Sequence, residues 1–246
     1  LGKIGDDEAG RRFLSLVQEK NIRFAPLWMK SSCSTIIKTR VVVQKQQLCR
    51  LDREGGRSSY ELDSEELLDH VEDVIRRSDA VILSDYAKGT LSDSLIQKVV
   101  DLSRSRGCLL AADPKPKRTM DWQGISLMTP NRREALQLAG IEGNRDEFPA
   151  DEVCSRIYSQ YAPRFLVVTL GSEGMLICEA GTVTGRIPAH TREVFDVSGA
   201  GDTVVACLAA ALAAGIPIME AAEFSNLAAG VVVGKLGTAV VYPSEL

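Results

Sequence analysis

Between Ser64 and Thr169 the chain alternates short, almost wholly apolar runs with amphipathic helical stretches, and this pattern narrows the possible folds more than any other feature of the sequence. Ser64-Glu65-Glu66-Leu67 opens a helix that places Leu67, Leu68, Val71, Val74 and Ile75 on one face, and the apolar run Ala80 to Leu83 follows. A helix over Ser92 to Ser105, a strand over Cys108 to Ala112, a strand over Ile125 to Met128, helices over Asn131 to Ala139 and Ala150 to Tyr161, and a strand over Phe165 to Thr169 continue the alternation. A strand apolar on both sides must be covered on both sides, so the expected fold is α/β, with a mostly parallel central sheet and helices on both faces.

The flanking regions read differently. Glu8 to Lys20 has helical spacing through Phe13, Leu14 and Val17. Ile22 to Met29, Thr35 to Val43 and Gln46 to Asp52 carry β-forming residues separated by turn signals, which predicts a small β flap over about residues 21–53. Met175 to Cys178 and Thr182 to Ile187 predict a hairpin, and Ala200 to Ala214 and Ile218 to Gly234 predict helices so rich in Ala and Val that burial on every face is expected. No internal repeat or low-complexity linker is present, so residues 1–246 are expected to form one domain.

Composition excludes several classes. With 29 Lys and Arg against 33 Asp and Glu, the net charge of −4 provides no global field for nucleic acid or an anionic membrane, so any phosphate must be held locally. The longest apolar stretch, Val204 to Ala214, is too short for the roughly 20 residues that span a bilayer. The six cysteines form no CxxC pair and the histidines number only two, which argues against structural zinc and suggests buried, reduced thiols in a cytoplasmic protein.

The segment most informative about chemistry is Phe195-Asp196-Val197-Ser198-Gly199-Ala200-Gly201-Asp202-Thr203, a strand end, a small-residue turn and a helix start. Glycines let backbone N–H groups approach a ligand closely, and the first helical turn leaves donors unpaired beside the positive end of the dipole. Such a place suits a phosphoryl group in transfer, and a carboxylate at Asp202 among those amides can accept a proton from an attacking hydroxyl. The alternative is that Asp202 only complements the helix dipole. Gly230 to Leu236 is not a P-loop, having one residue too few between its glycines and Leu236 where a hydroxyl must meet magnesium; Gly199-Ala200-Gly201 lacks the third glycine of a dinucleotide fingerprint.

Asp196 to Thr203 resembles the C-terminal signature of the ribokinase (PfkB) family of sugar kinases. Ser84-Asp85-Tyr86-Ala87-Lys88-Gly89, Asp113-Pro114-Lys115, Thr129-Pro130-Asn131 with Glu134, and Ala228 to Thr238 are similar to the branch of that family that phosphorylates D-glycero-D-manno-heptose 7-phosphate at O1. The resemblance implies a ribokinase-like fold and an ATP-dependent reaction. In it Asp202 is the base, the amides of Gly199, Ala200 and Gly201 stabilise the transferring phosphoryl group, and Asn131, Thr169, Gly171, Gly174 and Asn226 bind the nucleotide. It further implies that Glu134 organises Mg2+ through water, that Asp85, Lys88, Lys115, Gln47 and Arg50 serve the sugar phosphate, and that Asp196 belongs to a K+ site. For Asn131 and Glu134 a capping box is the competing explanation, and for Asn226 a core hydrogen bond.

Gln46 to Asp52 resembles the family's lid strand, with Lys45 in place of Asn, which implies a homodimer formed through the lid. An adenylyltransferase domain is expected C-terminal to the kinase domain, with the product feeding ADP-heptose and lipopolysaccharide synthesis. The family's opening strings, Gly-Asp-x-x-x-Asp and Gly-Gly-Ala-x-Asn, do not occur, so a strand unit of at least about 30 residues is expected ahead of Leu1. Two alternatives are open: a kinase for another sugar phosphate, and a truncated, non-catalytic nucleotide-binding fragment.

Overall fold

The computed structural model describes residues 2–25, 28–43, 46–62, 65–116, 122–142, 147–190 and 194–246. Lys45 and Ser64, to which the sequence drew attention, lie outside them. The chain forms two compact units, Leu1–Val74 with Ala87–Ile96, and Ile75–Tyr86 with Gln97–Leu246.

In the first unit, β1 (Ile4–Gly5) leads into α1 (Glu8–Glu19), and β2 (Met29–Lys30) pairs parallel with β1. Asp7 caps α1: its carboxylate accepts hydrogen bonds from the Gly10 amide (2.8 Å), the Thr35 hydroxyl (2.7 Å) and the Thr35 amide (2.8 Å). The Thr35 bonds first, then that of Gly10, hold its carboxyl down at about 2. The flap is a hairpin of β3 (Ile37–Val43) and β4 (Gln46–Arg53), with a register shift between Val41 and Val42. Within this unit it leaves Val41, Val42, Val43, Leu48 and Leu51 exposed. Trp28, Tyr60, Leu62 and Val71 form the buried interior, the last on α2 (Glu65–Ile75). The expected strand from Ile22 to Met29 is reduced to Met29–Lys30 among the described residues, because that run contains Pro26, which has no N–H for a ladder.

The second unit is built on one sheet. Its strands are β5 (Ala80–Ser84), β6 (Leu109–Asp113), β7 (Leu127–Met128), β8 (Phe165–Thr169), β9 (Met175–Glu179) and β10 (Thr182–Ile187), in the order β10-β9-β8-β7-β6-β5. From β5 to β8 the pairing is parallel, and β9 and β10 complete the sheet antiparallel. The connecting helices are α3 (Asp93–Arg106), which begins in the first unit, α4 (Arg132–Leu138), α5 (Ala150–Tyr161), α6 (Ala200–Ala213) and α7 (Ile218–Val233).

Alternate residues of the strands face opposite sides; β6 to β9 are largely buried on both, whereas the edge strand β5, expected to be covered on both faces, leaves Ile82 exposed. Ala111, Leu127, Phe165, Val167, Met175 and Ile177 share a cluster with Val204, Val205 and Leu208 of α6 and Ala221, Ala222 and Ala229 of α7. On the other side α5 is tied to β9 by a disulfide between the buried Cys154 and Cys178, which corrects the expectation of reduced thiols throughout; Cys33, Cys49, Cys108 and Cys207 are free. Burial of the last two helices also differs from expectation. α7 is largely enclosed, but α6 buries only Val204, Val205, Leu208 and Ala209 and exposes Ala206, Ala210 and Ala213. Alanine forms helix well and leaves little apolar area in water, so an alanine-rich helix need not be buried.

Candidate active site

The C-terminal ends of the parallel strands are where an open α/β sheet presents its loops to a ligand. Three of these ends carry the Asp-Tyr, Asp-Pro-Lys and Thr-Pro-Asn strings, after β5, β6 and β7, and β8 adds Thr169, which bridges Asn131. The N-terminus of α6 brings the fourth component. Gly199 takes φ +86°, a left-handed conformation that a side chain would strain, and this turns the chain into the helix. The Ala200 amide donates to the Val197 carbonyl at 3.3 Å, whereas the N–H groups of Gly199 and Gly201 have no partner among the described residues. Of the three amides expected to face a phosphoryl group, two are therefore open and one is engaged in the turn.

Asp202 follows on the first turn of α6, exposed, and Oδ1 accepts a hydrogen bond of 2.6 Å from the Tyr86 hydroxyl at the end of β5. Beside it lies a charge cluster. Lys115 places its ammonium 2.6 Å from Glu134 Oε1 and 3.6 Å from Asp113 Oδ2. Burial pushes the Asp113 carboxyl up to about 6; Lys115 opposes the rise, and the negative charges of Glu134 and Asp202 add to it. Burial works against the Lys115 charge, but its bond to Glu134 and the charges of Asp113 and Glu134 outweigh that and hold it above the ordinary lysine value. Glu134 accepts the Asn131 amide at 3.0 Å through its second oxygen, and Asn131 Oδ1 accepts the Glu134 amide at 3.0 Å. The capping box of α4 is thus real. It coexists with the charge cluster, because one carboxylate oxygen serves each.

A cavity of about 1460 Å3 opens alongside, lined by Asn131, Thr169, Gly171, Gly174, Ala200 and Asn226, among others. All five residues expected at the nucleotide are on its wall. Gly174, at φ +87°, is confined by tertiary contact, since a Cβ there would lie 2.0 Å from the Ile187 carbonyl oxygen. Asn226, 8% exposed, donates from its side-chain amide to the Pro188 carbonyl at 2.8 Å, so the core hydrogen bond considered for it is present as well. The wall is mixed in character, and its volume is ample for a nucleoside triphosphate.

The remaining predicted residues are placed as follows. Asp85 is buried, and its amide donates to the Asp113 carbonyl at 3.2 Å, tying the ends of β5 and β6 together. Asp196 Oδ1 accepts the Ser198 amide at 2.9 Å and so shapes the turn before Gly199. Lys88, Gln47 and Arg50 belong to the first unit: Lys88 pairs with Glu54, Arg50 makes a two-pronged contact with Asp52 at 2.8 and 3.0 Å, and Gln47 stands opposite Val42 in the hairpin. The sequence missed Tyr86 and Asp113 as participants, although each stands at a strand end inside a string it had marked. Among the described residues no group of three or more His, Cys, Asp or Glu side chains is arranged to hold a metal on its own. No described helix is long and apolar enough to cross a membrane.

The pfkB family carbohydrate kinase model matches residues 1–245. The bifunctional protein HldE of Paramagnetospirillum magneticum is 38% identical over 99% of this chain, and that of Wolinella succinogenes 36% identical over all of it. The chain spans about half the length of these relatives, 50% and 51%. Among solved structures, ribokinase from Giardia lamblia superposes with a TM-score of 0.80 at 20% identity, covering 99% of this chain and 80% of that one. Arabidopsis thaliana ribokinase complexed with ribose and ATP gives 0.76 at 19% identity, covering 97% and 76%. The fold is ribokinase-like.

Proposed function

The chain belongs to the pfkB family of carbohydrate kinases, and from that premise we propose that it transfers the γ-phosphoryl group of ATP to O1 of D-glycero-β-D-manno-heptose 7-phosphate. The observation that carries the reading is the position of one carboxylate, Asp202, directly after the open amides of Gly199 and Gly201 at the N-terminus of α6, with the cavity adjoining through Gly201 and Asn131. In the transfer, Asp202 takes the proton of the O1 hydroxyl as the new O–P bond forms. The bond from the γ-phosphorus to the bridging oxygen breaks, and ADP leaves with that electron pair. The two free amides lie where negative charge develops on the phosphoryl oxygens, and fixed donors of this kind need no reorganisation during reaction.

Thr169, Gly171, Gly174, Asn131 and Asn226 are assigned to the nucleotide. Mg2+ fits the donor set as an ion carried on the triphosphate: both Glu134 oxygens are already engaged, so Glu134 would meet it through water, as magnesium bound mainly by phosphates allows. When bound it would offset phosphate charge. Lys115, Asp85, Lys88, Gln47 and Arg50 are assigned to the sugar phosphate, and Asp196 to a K+ site. We further infer one kinase domain over residues 1–246, a homodimer through the exposed valines and leucines of the β3–β4 hairpin, and an adenylyltransferase domain in the full-length protein.

The test is single-turnover phosphorylation of the heptose 7-phosphate by full-length protein and its Asp202→Asn variant. A general base typically contributes about 10^2- to 10^4-fold, and loss of that order is expected. Equal rates would remove Asp202 from the mechanism, and faster turnover of fructose 1-phosphate than of the heptose would remove the substrate assignment.

A further inference from the structure

We propose that Tyr86 is a positioning residue that holds the carboxylate of Asp202 in its reactive orientation. The proposal rests on the reading of Asp202 as the base. A carboxylate on an exposed first helical turn has several rotamers of similar energy, whereas proton abstraction requires one, with an oxygen within hydrogen-bond reach of the acceptor hydroxyl. Nothing on α6 itself selects that rotamer: among the described residues the hydrogen bond to Asp202 comes from Tyr86, 116 positions away in sequence, at 2.6 Å. The carboxylate can only accept, so the phenol is the donor. It binds Oδ1 and leaves Oδ2 for the sugar.

Three features suit Tyr86 to this part. Its ring has only two side-chain torsions, so fixing the hydroxyl costs little entropy compared with a Lys or Gln reaching the same point. Burial first, then the bond to Asp202 and its charge, push the phenol up to about 12, and it therefore stays protonated and donating at any working pH. The backbone directly after it is unusual too: Ala87 takes φ +55°, a region that non-glycine residues seldom occupy. Such a conformation persists only where the surroundings impose it, and here it lies in the bend directly after Tyr86. A second carboxylate, Asp113, lies close enough to feel the charge of Asp202. A donor aimed at Asp202 keeps that side chain from swinging away from its like-charged neighbour.

The test is a double-mutant cycle in the full-length protein, comparing wild type, Tyr86→Phe, Asp202→Asn and the double variant, with ATP, Mg2+ and the heptose 7-phosphate under single turnover. Tyr86→Phe removes one hydroxyl from a half-exposed ring, and calorimetric ATP affinity serves as the check on folding. The expected result is a loss of about 10- to 100-fold in rate, the scale of a hydrogen bond to a charged group, with ATP affinity within about twofold. In the Asp202→Asn background the same change should cost less than about twofold, because a residue acting through Asp202 has nothing left to position. A wild-type rate for Tyr86→Phe, or an equal loss in both backgrounds, overturns the proposal while leaving Asp202 as the base. A wild-type rate for Asp202→Asn overturns that reading itself.

Discussion

Replacing Asp113 by Asn probes the electrostatic cost of the site, and the structure sets its size. The Asp113 side chain is 14% exposed, and its carboxyl is pushed from an ordinary 3.8 up to about 6, chiefly by burial. A raised carboxyl means that the folded chain binds a proton the unfolded chain has already released. Stability therefore falls as pH rises from about 4 to about 6 and is level above that. The whole interval corresponds to about 3 kcal/mol at pH 7, and it already includes the favourable pull of Lys115. Asparagine has no such titration. Part of the gain is offset by desolvation of the amide, so Asp113→Asn should stabilise the protein by about 1 to 3 kcal/mol at pH 7.5 and by almost nothing at pH 4. Urea unfolding of both proteins at several pH values between 4 and 8 measures this. Parallel stability curves for the two proteins would refute the reasoning, because they would mean that Asp113 titrates alike in the folded and unfolded chain. A buried carboxylate kept at this cost beside Lys115 and Glu134 is what a site that must handle phosphate and protons requires, rather than what stability alone would select.

Two further substitutions separate scaffold from site. Gly174→Ala puts a Cβ 2.0 Å from the Ile187 oxygen at φ +87°, so a loss of more than about 2 kcal/mol in thermal or urea unfolding is expected; an unaffected midpoint would mean that the turn after β8 is free to shift. Asn226→Ala removes the 2.8 Å bond to the Pro188 carbonyl, with an expected loss of about 1 to 2 kcal/mol. It should also weaken ATP binding by calorimetry, since Asn226 lines the cavity; unchanged ATP affinity would restrict Asn226 to its structural bond.

Local patterns in the sequence carried much of this architecture. The limits of α5 and β8 agree residue for residue with the apolar and helical periods of Ala150 to Tyr161 and Phe165 to Thr169, because those signals lie within the elements themselves. The Gly199-Ala200-Gly201-Asp202 turn was legible for the same reason: left-handed backbone, open amides and a carboxylate are properties of adjacent residues. Where the signal was composition without position, it misled. Apolarity alone suggested that α6 was buried all round, and β-forming residues alone suggested a strand from Ile22 to Met29.

The sequence by itself determined the α/β class, and it marked the strand-end strings and Asp202 from which the candidate site is proposed. Tertiary structure alone decided which groups stand against it. Tyr86 and Asp202 meet across 116 residues, Lys115 balances Glu134 and Asp113, and Cys154 meets Cys178 between α5 and β9. A charge or a hydroxyl acts on whatever lies within a few ångströms, and for residues on different strand ends that distance is set by the packing of the sheet and its helices.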